Sequence, residues 1–271
     1  MKYRGHPLSA NISIMFTEHA YLERFAAARD AGFDAVESWW PFVDAVPDRG
    51  EVDKVLSAVD SAGVRLAALN FWAGDMAAGE RGMAVHRDRH EELRANIELV
   101  AKIGEATGCR SFNLLYGQPV EGSNESESRK GAAELYRDAA GVLESIDGTV
   151  LLEALAHDLN GSYPIRSLSD AIDFADLVGD PRVLLLFDTF HLGHNGEDIV
   201  EAAAGAASRI GHVQVADDPG RGEPGSGNLP IAACLDALAE RGYTGRVGAE
   251  YKPTTSRTID SFGWIGDSGR R

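Results

Sequence analysis

Short apolar runs alternate with amphipathic stretches along most of the chain. The run Ala10–Met15 predicts a first strand, and the helical pattern that follows over Glu18–Ala31 stops at Gly32, where a helix-ending glycine belongs. A second strand is expected at Asp34–Ser38 and a third at Val64–Leu69. A long helix from about Asp88 to Thr107 closes on Gly108, and Ser111–Leu115 reads as a fourth strand. The second half repeats the plan, with helix Arg129–Ser145, strand Val150–Glu153, helix Leu168–Leu177 and strand Val183–Phe187. Helix Gly196–Ala206, strand His212–Val215, helix Ile231–Arg241 and strand Val247–Glu250 follow. The runs VLL and VLLLF lack period-two alternation, as strands covered on both faces do.

Eight strand-helix alternations at this spacing predict a parallel sheet in the α/β class. No linker-like stretch interrupts them, so the expectation is a single (β/α)8 TIM barrel occupying one domain, residues 1–271. A doubly wound sheet is the structural alternative. The longest irregular segments, 71–87, 117–128, 154–167 and 216–230, each follow a strand, whereas the helix-to-strand connections are short and marked by Gly32, Gly63, Gly108 and Gly242. The elaborated face therefore lies at the carboxyl ends of the strands, where barrel active sites sit.

Four oxygen-bearing side chains close successive apolar runs there: Glu153, Asp188, Gln214 and Glu250, at intervals of 35, 26 and 36 residues. Each interval fits one strand-helix unit. A lone acid at a strand end often only caps the next helix, but four in succession weaken that reading. Three carboxylates and an amide on one rim suit a hard divalent cation, Mg²⁺ or Mn²⁺, which prefers oxygen donors. A buried structural cation is the competing reading. Without the ion, like charges this close would raise one another's pKa.

Further candidates surround this set. His191, three residues after Asp188 in FDTFH, is placed to hydrogen-bond a substrate oxygen rather than to ligate the metal. His212 shares a strand face with Gln214 and reads as a supporting or core residue. Arg221, in the glycine-punctuated loop after Gln214, is a bidentate carboxylate binder or, on the bland reading, a loop charge paired with Asp217 or Glu223. Lys252 is a weaker anion-binding candidate.

The chain has 271 residues, 44% of them hydrophobic, and a net charge of −16. That charge opposes attraction to nucleic acid or anionic membranes and leaves a small-molecule substrate as the expected partner. Cys109 and Cys234 lie in separate units with no CxxC spacing, so reduced thiols are expected. Neither a signal-peptide pattern nor a membrane-length apolar segment is present, and the protein is expected to be cytoplasmic. Barrel enzymes often form homodimers, and no surface stripe decides that here. The closing Ser261–Ile265 segment is expected to pack within the chain.

The segments ANISIMFTE (10–18), RFAAARDAGFDAVE (24–37), AGD (73–75), LLEAL (151–155), FDTFH (187–191), HVQVAD (212–217), RGEPG (221–225) and GAEYKP (248–253) together resemble the hydroxypyruvate isomerase family of xylose isomerase-like barrels. The resemblance covers nearly the whole chain. It implies a divalent-metal site at Glu153, Asp188, Gln214 and Glu250, with Glu153 and Glu250 as the acid/base pair and His191 and Arg221 contacting a small anionic hydroxy-keto acid. The implied reaction is isomerisation of hydroxypyruvate to tartronate semialdehyde. Isomerisation of 2-oxotetronate, epimerisation of a related sugar, and non-catalytic binding of a sugar acid are the alternatives. The chain departs from the family at Ser38-Trp39-Trp40-Pro41, where a Phe-rich run is typical, and at Asn228, where an acidic residue is usual. It also carries Asn160 where lysine often stands seven positions after the first glutamate.

Overall fold

The computed structural model describes residues 1–266, so the last five residues of the expected 1–271 domain lie outside it. Nine strands follow in spatial order: β1 (Lys2–Tyr3), β2 (His6–Asn11), β3 (Ala35–Ser38), β4 (Arg65–Asn70), β5 (Ser111–Asn113), β6 (Thr149–Glu153), β7 (Val183–Asp188), β8 (Ile210–Val215) and β9 (Val247–Ala249). β1 pairs antiparallel with β2 as a small hairpin. The other eight are parallel, and β2 closes on β9 through Leu8↔Val247 and Ala10↔Ala249. This is the expected (β/α)8 barrel.

The intervening helices are α1 (Arg24–Asp30), α2 (Arg49–Ala62), α3 (His90–Thr107), α4 (Glu125–Glu144), α5 (Leu168–Val178), α6 (Thr189–His194), α7 (Ile199–Ala206) and α8 (Ile231–Glu240). Their buried faces, such as Leu93, Ile97 and Val100 of α3, cover strands that are themselves apolar on both sides, including Val150, Leu152, Leu185 and Val213. α2 and α3 end on Gly63 and Gly108, both left-handed, with φ of 63° and 75°.

Three local expectations are corrected. The first strand runs over His6–Asn11 rather than Ala10–Met15, because Asn11 accepts backbone bonds from Ile14 and Met15 and turns the chain there. Ile12 and Met15 are apolar because they are fully buried, not because they pair in the sheet. Next, the helix expected at Gly196–Ala206 begins at Ile199, after Asp198 caps it, and Asp188 caps the short α6 that precedes it. The pattern also passes over α2, which a capping box of Asp48 and Glu51 starts. At the end of the chain Phe262 and Ile265 are buried and Trp264 meets Tyr3 edge-on at 4.8 Å, so the segment packs internally. Both cysteines are free and buried. No helix among the described residues is long and apolar enough to cross a membrane.

Candidate active site

The barrel places Glu153 and Asp188 as the last residues of β6 and β7 and Glu250 immediately after β9, and Asp188 pairs in register with Gln214 of β8. All four are at most 5% exposed. Glu153 and Glu250 line a cavity of about 300 Å³ that also takes in Trp39, Asn70, Arg81, Leu115, Asn160, His191 and Arg221.

Each carboxylate is held differently. Asp188 Oδ1 caps α6, accepting from the amides of Phe190 at 2.7 Å and His191 at 3.3 Å, whereas its buried Oδ2 has no hydrogen-bond donor. Glu153 Oε2 accepts from Asn113 Nδ2 at 2.7 Å. Glu250 Oε1 accepts from Asn11 Nδ2 at 2.6 Å and Trp39 Nε1 at 2.7 Å, and its Oε2 takes a short contact from Arg221. Burial, then the charges of Glu250 and Asp188, raises Glu153 well above the usual carboxyl range. Burial likewise raises Asp188, and it pushes Glu250 up to about 7 despite the opposing charge of Arg221.

The chemistry of these carboxylates suits a hard divalent cation. Three oxygen anions with raised pKa values converge, and an orphaned carboxylate oxygen is left buried among them, so a positive charge of suitable size would relieve both conditions. Gln214, expected as the fourth oxygen donor, turns its amide nitrogen toward the neighbouring carboxylates. Its Nε2 donates to Glu37 Oε2 at 2.9 Å and approaches Glu250 Oε1 at 3.4 Å.

Glu153, Asp188 and His191 also bring ligand-type atoms within 4.8 Å of one another, yet the hydrogen bonding of His191 argues against ligation. Its Nδ1 accepts the Ala156 N–H at 3.0 Å, so the ring proton sits on Nε2, the nitrogen that faces Glu153 Oε1 at 3.7 Å and Asp188 Oδ2 at 3.9 Å. A protonated Nε2 has no lone pair to give. Burial, with the Arg221 charge behind it, holds the imidazole pKa well below its ordinary range, so the ring is a neutral donor aimed into the cavity.

Arg221 reaches the site but not in the form expected. Its guanidinium contacts Glu250 and lies 3.6 Å from Asp188, while Asp217 and Glu223 are occupied elsewhere. Asp217 binds the amides of Gly225 and Leu229, and Glu223 binds Thr254. The loop so ordered holds Arg221 at a positive φ of 56° with its guanidinium over the Phe190 ring. Lys252 is exposed and does not line the cavity. His212 lies beneath the site, with its Nε2 2.9 Å from Glu37 Oε1.

Residues 25–267 match the xylose isomerase-like TIM barrel family. The chain belongs to that family. Among xylose isomerase-like relatives, a Streptomyces coelicolor protein provisionally named hydroxypyruvate isomerase is 41% identical over 98% of this chain and 97% of its own. The hydroxypyruvate isomerase of Escherichia coli is 31% identical over 92% and 94%. A 2-oxo-tetronate isomerase of Haemophilus influenzae is 29% identical over 95% and 97%. A solved Brucella melitensis structure, described as an AP endonuclease of family 2, superposes with a TM-score of 0.87 at 31% identity, covering 96% of this chain and 98% of that one.

Sequence reasoning missed four cavity or supporting residues of this xylose isomerase-like site: Asn11, Asn113, Glu37 and Arg81. The first two had a readable signal, since each is the last residue of its strand, the rule that selected Glu153 and Asp188. Glu37 sits one position before the end of β3 and points into the barrel, where only the glycine of β9 leaves room: a Cβ on Gly248 would lie 2.3 Å from Glu37 Oε1. Arg81 carried no signal in a loop of ordinary polar composition.

Proposed function

We propose that this chain, an isomerase of the xylose isomerase-like family, interconverts hydroxypyruvate and tartronate semialdehyde by moving a proton between neighbouring carbons. The observation that carries this reading is the pair of buried glutamates, Glu153 and Glu250, facing one small cavity with their carboxyl pKa values raised. A carboxyl poised near neutrality can accept a proton from carbon and return it. One glutamate takes the proton from C3 of hydroxypyruvate, and the electron pair left behind forms the C2–C3 double bond of an enediolate as the C2 carbonyl pair moves onto its oxygen; the other glutamate then delivers a proton to C2, while the C3 hydroxyl proton passes to the C2 oxygen and the C3 carbonyl forms. His191, neutral and protonated at Nε2, donates to a substrate oxygen. Asn11 and Trp39 orient Glu250, and Asn113 orients Glu153.

Glu153, Asp188, Gln214 and Glu250 would hold a divalent ion, Mg²⁺ or Mn²⁺ by donor type. Such an ion supplies, when bound, positive charge where the enediolate develops its negative charge. A buried histidine and oxygen donors do not make the nitrogen-rich set that zinc favours. The net charge of −16 disfavours a phosphate-backbone substrate, so the nucleic-acid activity in the description of the Brucella protein is not carried over. Residues 1–271 are read as one catalytic domain in the cytoplasm.

The second reading is isomerisation of 2-oxotetronate, favoured by the Haemophilus relative and requiring only room for one more hydroxymethyl group. Proton NMR in D₂O of the Mn²⁺- or Mg²⁺-loaded protein with each acid separates the two. Conversion of hydroxypyruvate with solvent deuterium in the product, abolished by chelator, is the expected result. Turnover of the four-carbon acid alone would move the assignment to 2-oxotetronate, and inertness toward both would overturn the isomerase reading.

A further inference from the structure

The cavity holds two guanidinium groups whose circumstances differ. Arg221 is already neutralised, with Glu250 in contact and Asp188 at 3.6 Å. Arg81 has no acidic partner among the described residues. It donates from Nε to Asn160 Oδ1 at 3.0 Å and from Nη1 to the carbonyls of Glu80 at 2.7 Å and Met76 at 3.0 Å. Nη2 has no protein acceptor among the described residues. Burial, and after it the positive field of Arg221, pushes the Arg81 guanidinium below its ordinary value, as expected of a partly desolvated cation near a second one.

The loop that carries Arg81 is fixed from several sides. The Arg81 amide donates to Gln118 Oε1 at 3.0 Å, and that of Gly82 to Ala73 O at 2.9 Å. Gly82 packs so tightly that a Cβ there would fall 2.2 Å from Leu115 O. On the opposite side Asn160 is itself held, donating from Nδ2 to Ala156 O at 2.9 Å, which orients its Oδ1 toward Arg81. Both side chains line the cavity with Glu153, His191 and Glu250. These contacts hold the guanidinium in one plane and leave Nη2 without a protein partner among the described residues, free to give a carboxylate oxygen a charge-assisted hydrogen bond.

We propose that Arg81, seated by Asn160, binds the carboxylate of the substrate, so that it and not Arg221 or Lys252 makes the site selective for an acid over a neutral ketose. The proposal rests on the isomerase reading above for the identity of the acid, and its test separates the two.

Dihydroxyacetone differs from hydroxypyruvate only in carrying a hydroxymethyl group in place of the carboxylate. In Arg81→Gln, kcat/KM on hydroxypyruvate should fall about 10- to 100-fold, mainly through KM, the effect of losing a charge-assisted contact. The loss on dihydroxyacetone should be several-fold smaller than that on hydroxypyruvate, and an unchanged near-UV circular dichroism spectrum reports an intact fold. Arg81→Lys, which keeps the charge but loses the contacts that seat the guanidinium, should show the same selectivity change at smaller size. Calorimetric titration of the Mn²⁺-loaded protein with tartronate provides a readout independent of turnover, and Arg81→Gln should weaken that binding by a similar factor. Parallel losses on both substrates, or unchanged tartronate affinity, would overturn the subsite while leaving the reaction intact. Absence of turnover in the wild type, with tartronate binding that still depends on Arg81, would do the reverse.

Discussion

Two clusters of buried carboxylate lie within the same barrel, and they differ in almost everything except burial. Glu37, inside the barrel, is 1% exposed, and Asp188 and Glu250, at the rim, are 1% and 3% exposed. Burial alone would raise all of them. At Glu37 the charge of His212, with hydrogen bonds from His212, Ser9 and Gln214, outweighs burial and leaves the carboxyl below its usual range. At the rim burial wins: Glu153 and Glu250 are raised, and one oxygen of Asp188 is left with no donor. Desolvation is therefore common to both, and Glu250 has donors as Glu37 has; what separates the rim is the like charge of its neighbouring carboxylates, which raises Glu153 and Glu250 further. Gln214 joins the two clusters, with its amide nitrogen on Glu37 and its neighbourhood shared with Glu250.

The sharpest test of that contrast exchanges charge for amide at one residue in each cluster. Glu250→Gln removes a proton-transfer group and should lower turnover of the isomerised acid by about 10²- to 10⁴-fold while the protein stays folded by near-UV circular dichroism. Its stability at neutral pH should change less than that of the Glu37 variant, because relief of the repulsion from Asp188 offsets the loss of the Arg221 ion pair. A Glu250→Gln protein with turnover near wild type would break the assignment of this rim as the reactive cluster.

Glu37→Gln should behave in the opposite way. It leaves His212 buried beside an amide, and removing one member of a buried ion pair destabilises a fold by about 3–5 kcal/mol. Urea denaturation at pH 7 measures this directly. Mn²⁺ affinity should also drop by about 10- to 100-fold, since Gln214 loses the acceptor that fixes its amide. A Glu37→Gln protein as stable as wild type would show that Glu37 is not the settled half of the comparison.

The barrel was legible in the sequence because its strands are near-continuous apolar runs and its helix ends are marked by glycine, both of which are local signals. The rim carboxylates were legible for the same reason, each one closing such a run. What the sequence did not show is the arrangement that depends on contacts across the barrel. Nothing near Glu37 indicates that Ser9, His212 and Gln214, from β2 and β8, converge on it. Arg221 lies at the rim, but its pairing with Glu250 is a contact between the loop after β8 and the end of β9. Arg81 needs Asn160, 79 residues away, before its position means anything.

The smallest effect expected is in the pH dependence of stability, where the two clusters should pull in opposite directions. Glu37 is held below its usual value, so the stability it contributes is present above the ordinary carboxyl pKa and is lost as pH falls. Glu250 is raised from 4.5 to about 7, so its contribution is fully present below pH 4.5 and is lost as pH rises through about 7. A shift of that size corresponds to about 3 kcal/mol, or roughly 5 °C in Tm for a chain of this length. Chelator-treated protein should therefore melt at a lower temperature at pH 8 than at pH 5.5. Mn²⁺ should raise Tm more at pH 8, where it neutralises carboxylates that are otherwise ionised against one another. Glu250→Gln should show a shallower fall in chelator over the same interval, while Glu37→Gln should keep the fall at high pH and lose part of the acid limb. A chelated wild-type Tm that is flat from pH 5.5 to 8 would mean that the rim carboxylates are as well satisfied as Glu37, and the distinction between the two clusters would disappear.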